Sequence, residues 1–135
     1  MPISAIYSTL LQVALTEFDD IVIQAQVIHL PTGDPHKLRL NLVDGSFIDI
    51  YISVTGRYAY HWERRLIGKG EVYRHDNAPH KAWRYVSTFP KHFHDGQEDK
   101  VTESHLSSTP SEALKQVCAF ARQKLRSESG KETDK

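Results

Sequence analysis

Three histidines and one aspartate of this sequence have the types and spacing that suit proton-transfer chemistry. Asp76 and His80 lie in one short stretch, and His92 and His94 follow further along the chain. Histidine titrates near neutral pH, so two imidazoles can act as the base and the acid of one reaction. Alternate residues of an extended segment share a face, which predicts that His92 and His94 meet the same substrate. Asp76 is expected to orient an imidazole by accepting its second ring proton.

Cleavage of RNA through its 2′-hydroxyl is a reaction that these groups suit. The reaction needs a base for the hydroxyl, an acid for the leaving oxygen and a cation for the phosphate. Arg74, Lys81 and Lys91 flank the histidines and are predicted to bind phosphate, and Trp83 is predicted to stack on a base. The sequence therefore predicts a ribonuclease-like site with His80, His92, His94 and Asp76 as its catalytic residues.

The same residues leave two other functions open. His80, His92, His94 and Asp76 offer three nitrogens and a carboxylate, and three protein ligands plus water are usual for catalytic zinc. No helical His-Glu-x-x-His pattern accompanies them, so the sequence assigns no metal ligand and identifies no cofactor. A non-catalytic protein that binds nucleic acid or another protein through this segment is the third possibility.

The charge distribution favours nucleic acid as the partner of the central segment. The chain carries 17 lysine and arginine residues and 17 acidic residues, but residues 57–94 hold eight basic residues against three acidic ones. The same window contains five of the eight histidines and eight of the thirteen aromatic residues. Cations attract phosphate and aromatic rings stack on unpaired bases, so this composition is typical of an RNA-binding surface.

Length and composition predict one cytoplasmic domain. A chain of 135 residues is of ordinary single-domain size. One cysteine, Cys118, excludes an intramolecular disulfide and a multi-cysteine zinc site, and its place among apolar residues indicates a buried hydrophobe. No apolar run reaches about 18 residues and no secretory leader is recognised, so neither a membrane span nor export is expected.

Hydrophobic periodicity predicts the elements that position the site. Apolar residues at three- and four-residue steps predict a helix from Ile3 to Phe18, and Ile21 to Leu30 reads as a strand. A second helix is expected to begin at Thr109-Pro110, which offers a hydroxyl cap followed by a proline, and to run to Leu125.

A hairpin is predicted between two alternating segments. Leu40 and Ile48 must share a face of the sheet, and only a three-residue loop over 43–45 pairs them. Such a loop places Gly45 at the left-handed position of a bulged turn.

Two further strands are predicted over 57–66 and 71–75, the first with Tyr58, Tyr60 and Trp62 on a core-facing side. Residues 76–96 lack periodicity and are expected to form an ordered loop. The predicted fold is one α+β domain over residues 1–126, with a single mainly antiparallel sheet of about five strands flanked by N-terminal and C-terminal helices. Residues 127–135 are expected to be a polar, frayed tail.

Three stretches of this sequence together resemble the TumE-type toxins of toxin–antitoxin pairs. They are Tyr-Ala-Tyr-His-Trp at 58–62, Arg-His-Asp-Asn-Ala-Pro-His at 74–80 and Thr-Phe-Pro-Lys-His-Phe-His at 88–94. The resemblance implies a cytoplasmic toxin that a cognate antitoxin protein holds silent. Members of this family often carry histidine where Lys81 and Lys91 stand, which argues against obligatory chemistry at these two positions. The acidic amino-terminal third is expected to meet a basic surface of the antitoxin.

Overall fold

The structure, a computed structural model, describes residues 2–133, so residues 134 and 135 of the predicted polar tail lie outside the described residues. It contains two helices and seven strands, with single 3-10 turns at Arg65–Ile67 and Lys81–Trp83. The elements are α1 Ile3–Glu17, β1 Val22–His29, β2 Pro35–Leu42, β3 Phe47–Ile52, β4 Tyr58–Glu63, β5 Val72–Asp76, β6 His92–Gly96, β7 Val101–Glu103 and α2 Pro110–Thr133.

The strands form one antiparallel sheet in chain order, from β1 to β7. The α+β class and the two flanking helices are as predicted, but the predicted count of about five strands is wrong. The missed strands are β6 and β7. Phe93 is the only apolar residue of β6, and β7 has three residues, so neither gives a readable alternation of apolar and polar side chains.

The predicted hairpin between β2 and β3 is confirmed. Leu40 pairs with Ile48, and Leu38 pairs with Ile50. The amide of Leu42 donates to the carbonyl of Ser46 at 2.9 Å, which leaves residues 43–45 as the three-residue loop. Gly45 has a φ of +89°, a conformation that side chains with a Cβ rarely adopt.

Both helices pack on one face of the sheet, which we call the inner face. Leu10 of α1 and Leu114 of α2 are buried against Leu40, Ile50 and Trp62 of the sheet. Burying each such side chain stabilises the fold by about 1.5–3 kcal/mol. Tyr60 and Trp62 are core residues, as predicted, and so are not available to stack on a base.

Cys118 is buried in the same core, and burial raises the pKa of its thiol to about 12. The thiol is therefore protonated at neutral pH and unreactive.

Helix α2 continues past the predicted domain boundary at residue 126 and runs to Thr133. Glu128 lies on the extension and pairs with Arg64, which follows β4. This contact ties the end of the helix to the sheet. Among residues 2–133, neither helix combines the length and hydrophobicity that crossing a membrane requires.

The opposite face of the sheet, which we call the outer face, carries the polar side chains of the alternating strands. Because Tyr60 pairs with His75 and faces the helices, the neighbouring Arg74 and Asp76 point the other way. The loop of residues 77–91 folds over this face and brings Trp83 against the rings of His92 and His94.

A candidate active site on the outer face of the sheet

Two adjacent strands place four polar side chains together. Arg74 pairs with His94, and Asp76 pairs with His92, across the antiparallel ladder of β5 and β6. All four residues lie at alternate positions and therefore share the outer face. We call Asp76, His92 and His94 the histidine cluster; its three side chains are almost fully buried.

The carboxylate of Asp76 is the centre of the cluster. Its Oδ1 lies 3.1 Å from Nε2 of His92, and its Oδ2 lies 3.9 Å from Nε2 of His94. Arg74 donates from Nε to Oδ2 at 2.7 Å, and the amide of Ala78 donates to Oδ1 at 3.0 Å. These donors fix the carboxylate in place and offset part of its charge.

The two imidazoles are held in one tautomer by backbone carbonyls. Nδ1 of His92 lies 2.9 Å from the carbonyl oxygen of Pro90, and Nδ1 of His94 lies 2.7 Å from that of Glu98. A carbonyl only accepts, so Nδ1 carries the hydrogen in both rings. In a neutral imidazole Nε2 then presents a lone pair, and both Nε2 atoms lie beside the Asp76 carboxylate, at 3.1 Å and 3.9 Å. A proton or a cation between these acceptors is needed to make their approach favourable.

The cluster forms the floor of a groove of about 470 Å³. The side chains of His92 and His94 are 2% and 7% exposed, so they meet solvent at the groove alone. Other residues line the cavity around the cluster, and we call the whole cavity the groove. These residues are Arg74, Ala78, His80, Ala82, Trp83, Glu98 and Asp99.

The groove gathers some of the predicted site residues and leaves others out. His80 is exposed on the rim, and Arg74 and Trp83 form walls. Lys81 lines an adjoining hollow with His80 and Arg57. Lys91 is not in the groove, because its ammonium group donates to the carbonyl of Leu106 at 2.6 Å.

A second hollow, of about 460 Å³, adjoins the groove at Arg74. Sequence reasoning missed it because its residues come from four separate strands, although the alternation of β4 placed His61 on the outer face. It is lined by His36, Lys37, Asp49, Tyr51, Ala59, His61 and Arg74.

His61 and His75 each make contacts with other protein side chains. Nε2 of His61 lies 3.2 Å from Glu63, and burial lowers its pKa despite that contact. On the inner side, the ring of His75 stacks on Phe93 at 4.3 Å and contacts the hydroxyl of Ser104 at 2.8 Å. Burial, with the charge of a nearby lysine, lowers the pKa of His75 to about 4, so the ring is neutral at physiological pH.

The arrangement permits two kinds of chemistry. A carboxylate flanked by two imidazoles can take up and release a proton at the groove floor. The same three side chains offer one ligand atom each, all within 4.8 Å of one another, which suits a metal ion.

Comparison with known proteins gives one match. A family model described as Toxin TumE matches residues 11–125, a span that includes every strand of the sheet and every residue of the groove. No curated protein and no solved structure matches the chain.

Proposed function

The chain belongs to the TumE toxin family, and we propose that it acts as an RNA-cleaving toxin through the groove on the outer face. Membership in this family implies a toxin–antitoxin pair and therefore an antitoxin partner. The observation that carries the proposal of RNA cleavage is the convergence of His92, His94 and Asp76 at the floor of a groove. Arg74 and Trp83 form part of its walls, beside the acidic Glu98 and Asp99.

The walls of the groove suit a single-stranded polynucleotide. Arg74 is 36% exposed and can meet a phosphate while its Nε holds Asp76. Trp83 presents a half-buried ring beside the cluster, where an unpaired base can stack. The second hollow continues the same surface with Lys37 and His61, and so extends the path available to the strand.

The proposed reaction is transesterification through the 2′-hydroxyl of RNA. The 2′-oxygen attacks the adjacent phosphorus, its proton passes to the histidine cluster, and the bond from phosphorus to the 5′-oxygen breaks. The exposed His80 on the rim donates a proton to that 5′-oxygen. Arg74 stabilises the charge that develops on the phosphate. The products are a 2′,3′-cyclic phosphate and a 5′-hydroxyl.

The geometry of the cluster favours an enzyme over a protein that only blocks a surface. A blocking surface gains affinity from exposed side chains, whereas His92 and His94 are nearly sealed and contribute little contact area. Fixing both Nδ1 atoms while directing both Nε2 atoms at one carboxylate preorganises reactive groups.

RNA sequencing shortly after expression without the antitoxin tests the proposal. We expect discrete new ends that carry 5′-hydroxyl and cyclic-phosphate groups, and the same ends from pure protein and RNA. Asp76→Asn is expected to abolish them, and His105→Ala is the matched control, because His105 is exposed outside the groove. Growth arrest with intact RNA would contradict the proposal.

A further inference from the structure

We propose that Asp76, His92 and His94 hold one divalent transition-metal ion, for which zinc is the best probe. The inference deepens the proposed function. Only the role of the ion in RNA cleavage rests on that function. The binding site itself is argued from the orientation of the three side chains and from their ligand atoms.

The orientation of the imidazoles is that of metal ligands. Metal-binding histidines commonly donate the distal ring hydrogen to a backbone carbonyl, which aims the other nitrogen at the ion. His92 does this through Pro90, and His94 does it through Glu98. Both Nε2 atoms consequently lie beside the same carboxylate, at 3.1 Å for His92 and 3.9 Å for His94, where a cation would turn repulsion between acceptors into attraction.

The distances between ligand atoms suit an ion of this size. Ligands about 2.1 Å from zinc at tetrahedral angles stand roughly 3.4 Å apart. Oδ1 of Asp76 lies 3.1 Å from Nε2 of His92, and Oδ2 of Asp76 lies 3.9 Å from Nε2 of His94. These distances fall on either side of that value. Small side-chain adjustments therefore suffice to close the site around an ion.

The carboxylate ligand is also held in place by hydrogen bonds from the protein. Arg74 and the amide of Ala78 each donate to one oxygen of Asp76, as outer hydrogen bonds commonly do for metal-binding carboxylates. Each oxygen keeps a second lone pair for the ion. Trp83 lies 5.7 Å, ring centre to ring centre, from His94 and shields one side of the cluster from water.

The chemistry of the ligands selects the class of ion. Two imidazoles and one carboxylate suit zinc, iron, cobalt or nickel, whereas magnesium and calcium prefer oxygen ligands. Three protein ligands leave at least one position open toward the groove. A water bound there would have a pKa of about 7. The hydroxide that it forms would take the 2′-hydroxyl proton in place of the imidazoles, whose Nε2 atoms would bind the ion.

Zinc titration of metal-stripped protein by calorimetry tests the site. We expect one zinc ion per chain, and a loss of affinity of about 100-fold or more in Asp76→Asn, His92→Asn and His94→Asn. The histidine-to-asparagine change keeps a hydrogen-bond donor near the Nδ1 position and removes Nε2, so it tests ligation with little disturbance to the fold. His105→Ala should bind zinc as the wild type does.

The outcomes separate this inference from the proposed function. Circular dichroism verifies that each variant is folded, and His94→Asn carries the test should His92→Asn unfold. Failure of the wild type to bind one zinc ion per chain, or unchanged zinc affinity in a folded His94→Asn, would overturn the metal site. RNA cleaved by protein that binds no zinc would leave the ribonuclease proposal standing alone. A bound zinc ion with intact RNA would overturn the ribonuclease and leave the metal site.

Discussion

Two buried ionic clusters lie on opposite faces of the same sheet and differ in how far a ligand can reach their polar atoms. On the inner face, Arg64 contacts Asp44, Glu71 and Glu128, a set that we call the arginine cluster. On the outer face lies the histidine cluster. Both contain fully or nearly fully buried charged groups, so burial and charge alone do not distinguish them.

Most polar atoms of the arginine cluster are paired within the protein, although Nε of Arg64 is buried without a hydrogen-bond partner among residues 2–133. The Arg64 side chain has no exposed area, and its two terminal nitrogens donate to three carboxylates, at 2.7 Å for Glu71 and 3.1 Å for Asp44. Its guanidinium also lies 4.6 Å from the ring of Trp62. In the histidine cluster, by contrast, the ring nitrogens and the carboxylate lie at the floor of the groove. The two clusters therefore differ in access: the Arg64 side chain has no exposed area, whereas the polar atoms of the histidine cluster open onto a cavity that a ligand can enter.

The largest effect that we expect is on catalysis, when the charge of Asp76 in the histidine cluster is removed. Asp76→Asn removes the charge that both imidazoles face but keeps an oxygen to accept from Ala78. We expect RNA cleavage to fall by about 1,000-fold, which corresponds to about 4 kcal/mol of activation free energy. The free energy of unfolding, measured in urea, should fall by about 1–3 kcal/mol, because the amide nitrogen of asparagine replaces the oxygen that accepts from Arg74. The cleavage rate is therefore compared per folded molecule.

The next largest effect that we expect is a loss of stability when Arg64 is removed from the arginine cluster. Arg64→Met leaves three partly buried carboxylates beside one another, and we expect a loss of about 3 kcal/mol in the free energy of unfolding. The cleavage rate per folded molecule should not change, since Arg64 lies on the other face. Arg126→Met is the control: Arg126 is 72% exposed and lies 3.5 Å from the exposed Asp20, so its loss should cost less than about 1 kcal/mol. Equal losses in the two variants would contradict the contrast.

The sequence predicted those parts of the fold that repeat a short pattern. The alternation around Leu40 and Ile48 was enough to fix the register and the loop length of the β2–β3 hairpin. Strand β6 was not predictable in the same way, because its outer residues are the polar His92 and His94. Polar residues stand at the positions where apolar residues would have made the alternation of a strand visible in the sequence.

The residues of the site were predictable by type, but their matching was not. The sequence singled out Asp76, His80, His92 and His94, all of which line the groove. It also included Lys91, whose ammonium group contacts the carbonyl of Leu106 outside the groove. The orientation of each ring depends on the carbonyls of Pro90 and Glu98, which no side-chain pattern records. Arg64 and Glu128 are 64 positions apart, and Glu128 lies in the segment that was predicted to be a frayed tail. The sequence therefore did not predict this ion pair.

Acid pH should weaken the arginine cluster through Glu128. The hydrogen bond from Arg64 lowers the pKa of Glu128 below its ordinary value of 4.5, although partial burial opposes the shift. The stability from this pair is therefore complete above about pH 4.5 and is lost as the pH falls through the lower pKa of the folded protein. We expect Glu128→Gln to cost about 1 kcal/mol near neutral pH and progressively less in acid.

Urea unfolding of the wild type and Glu128→Gln across that pH range measures the effect. Glu112→Gln is the matched control on the same helix, because Glu112 is exposed and lies 4.0 Å from Lys115. A difference between wild type and Glu128→Gln that stays constant down to about pH 3 would show that the ion pair does not carry the contribution.

The smallest expected effect concerns the rim of the groove and sharpens the functional half of the contrast. Lys81 is exposed beside His80, so it can meet a phosphate without taking part in the chemistry. Lys81→Ala should weaken RNA binding only a few-fold and reduce the slope of log affinity against log salt by about 0.7, the value for one lost phosphate contact on a single strand. Lys100→Ala, an exposed lysine paired with Asp95, should leave the slope unchanged. An equal change in both variants would mean that RNA responds to the overall charge of the protein rather than to the groove.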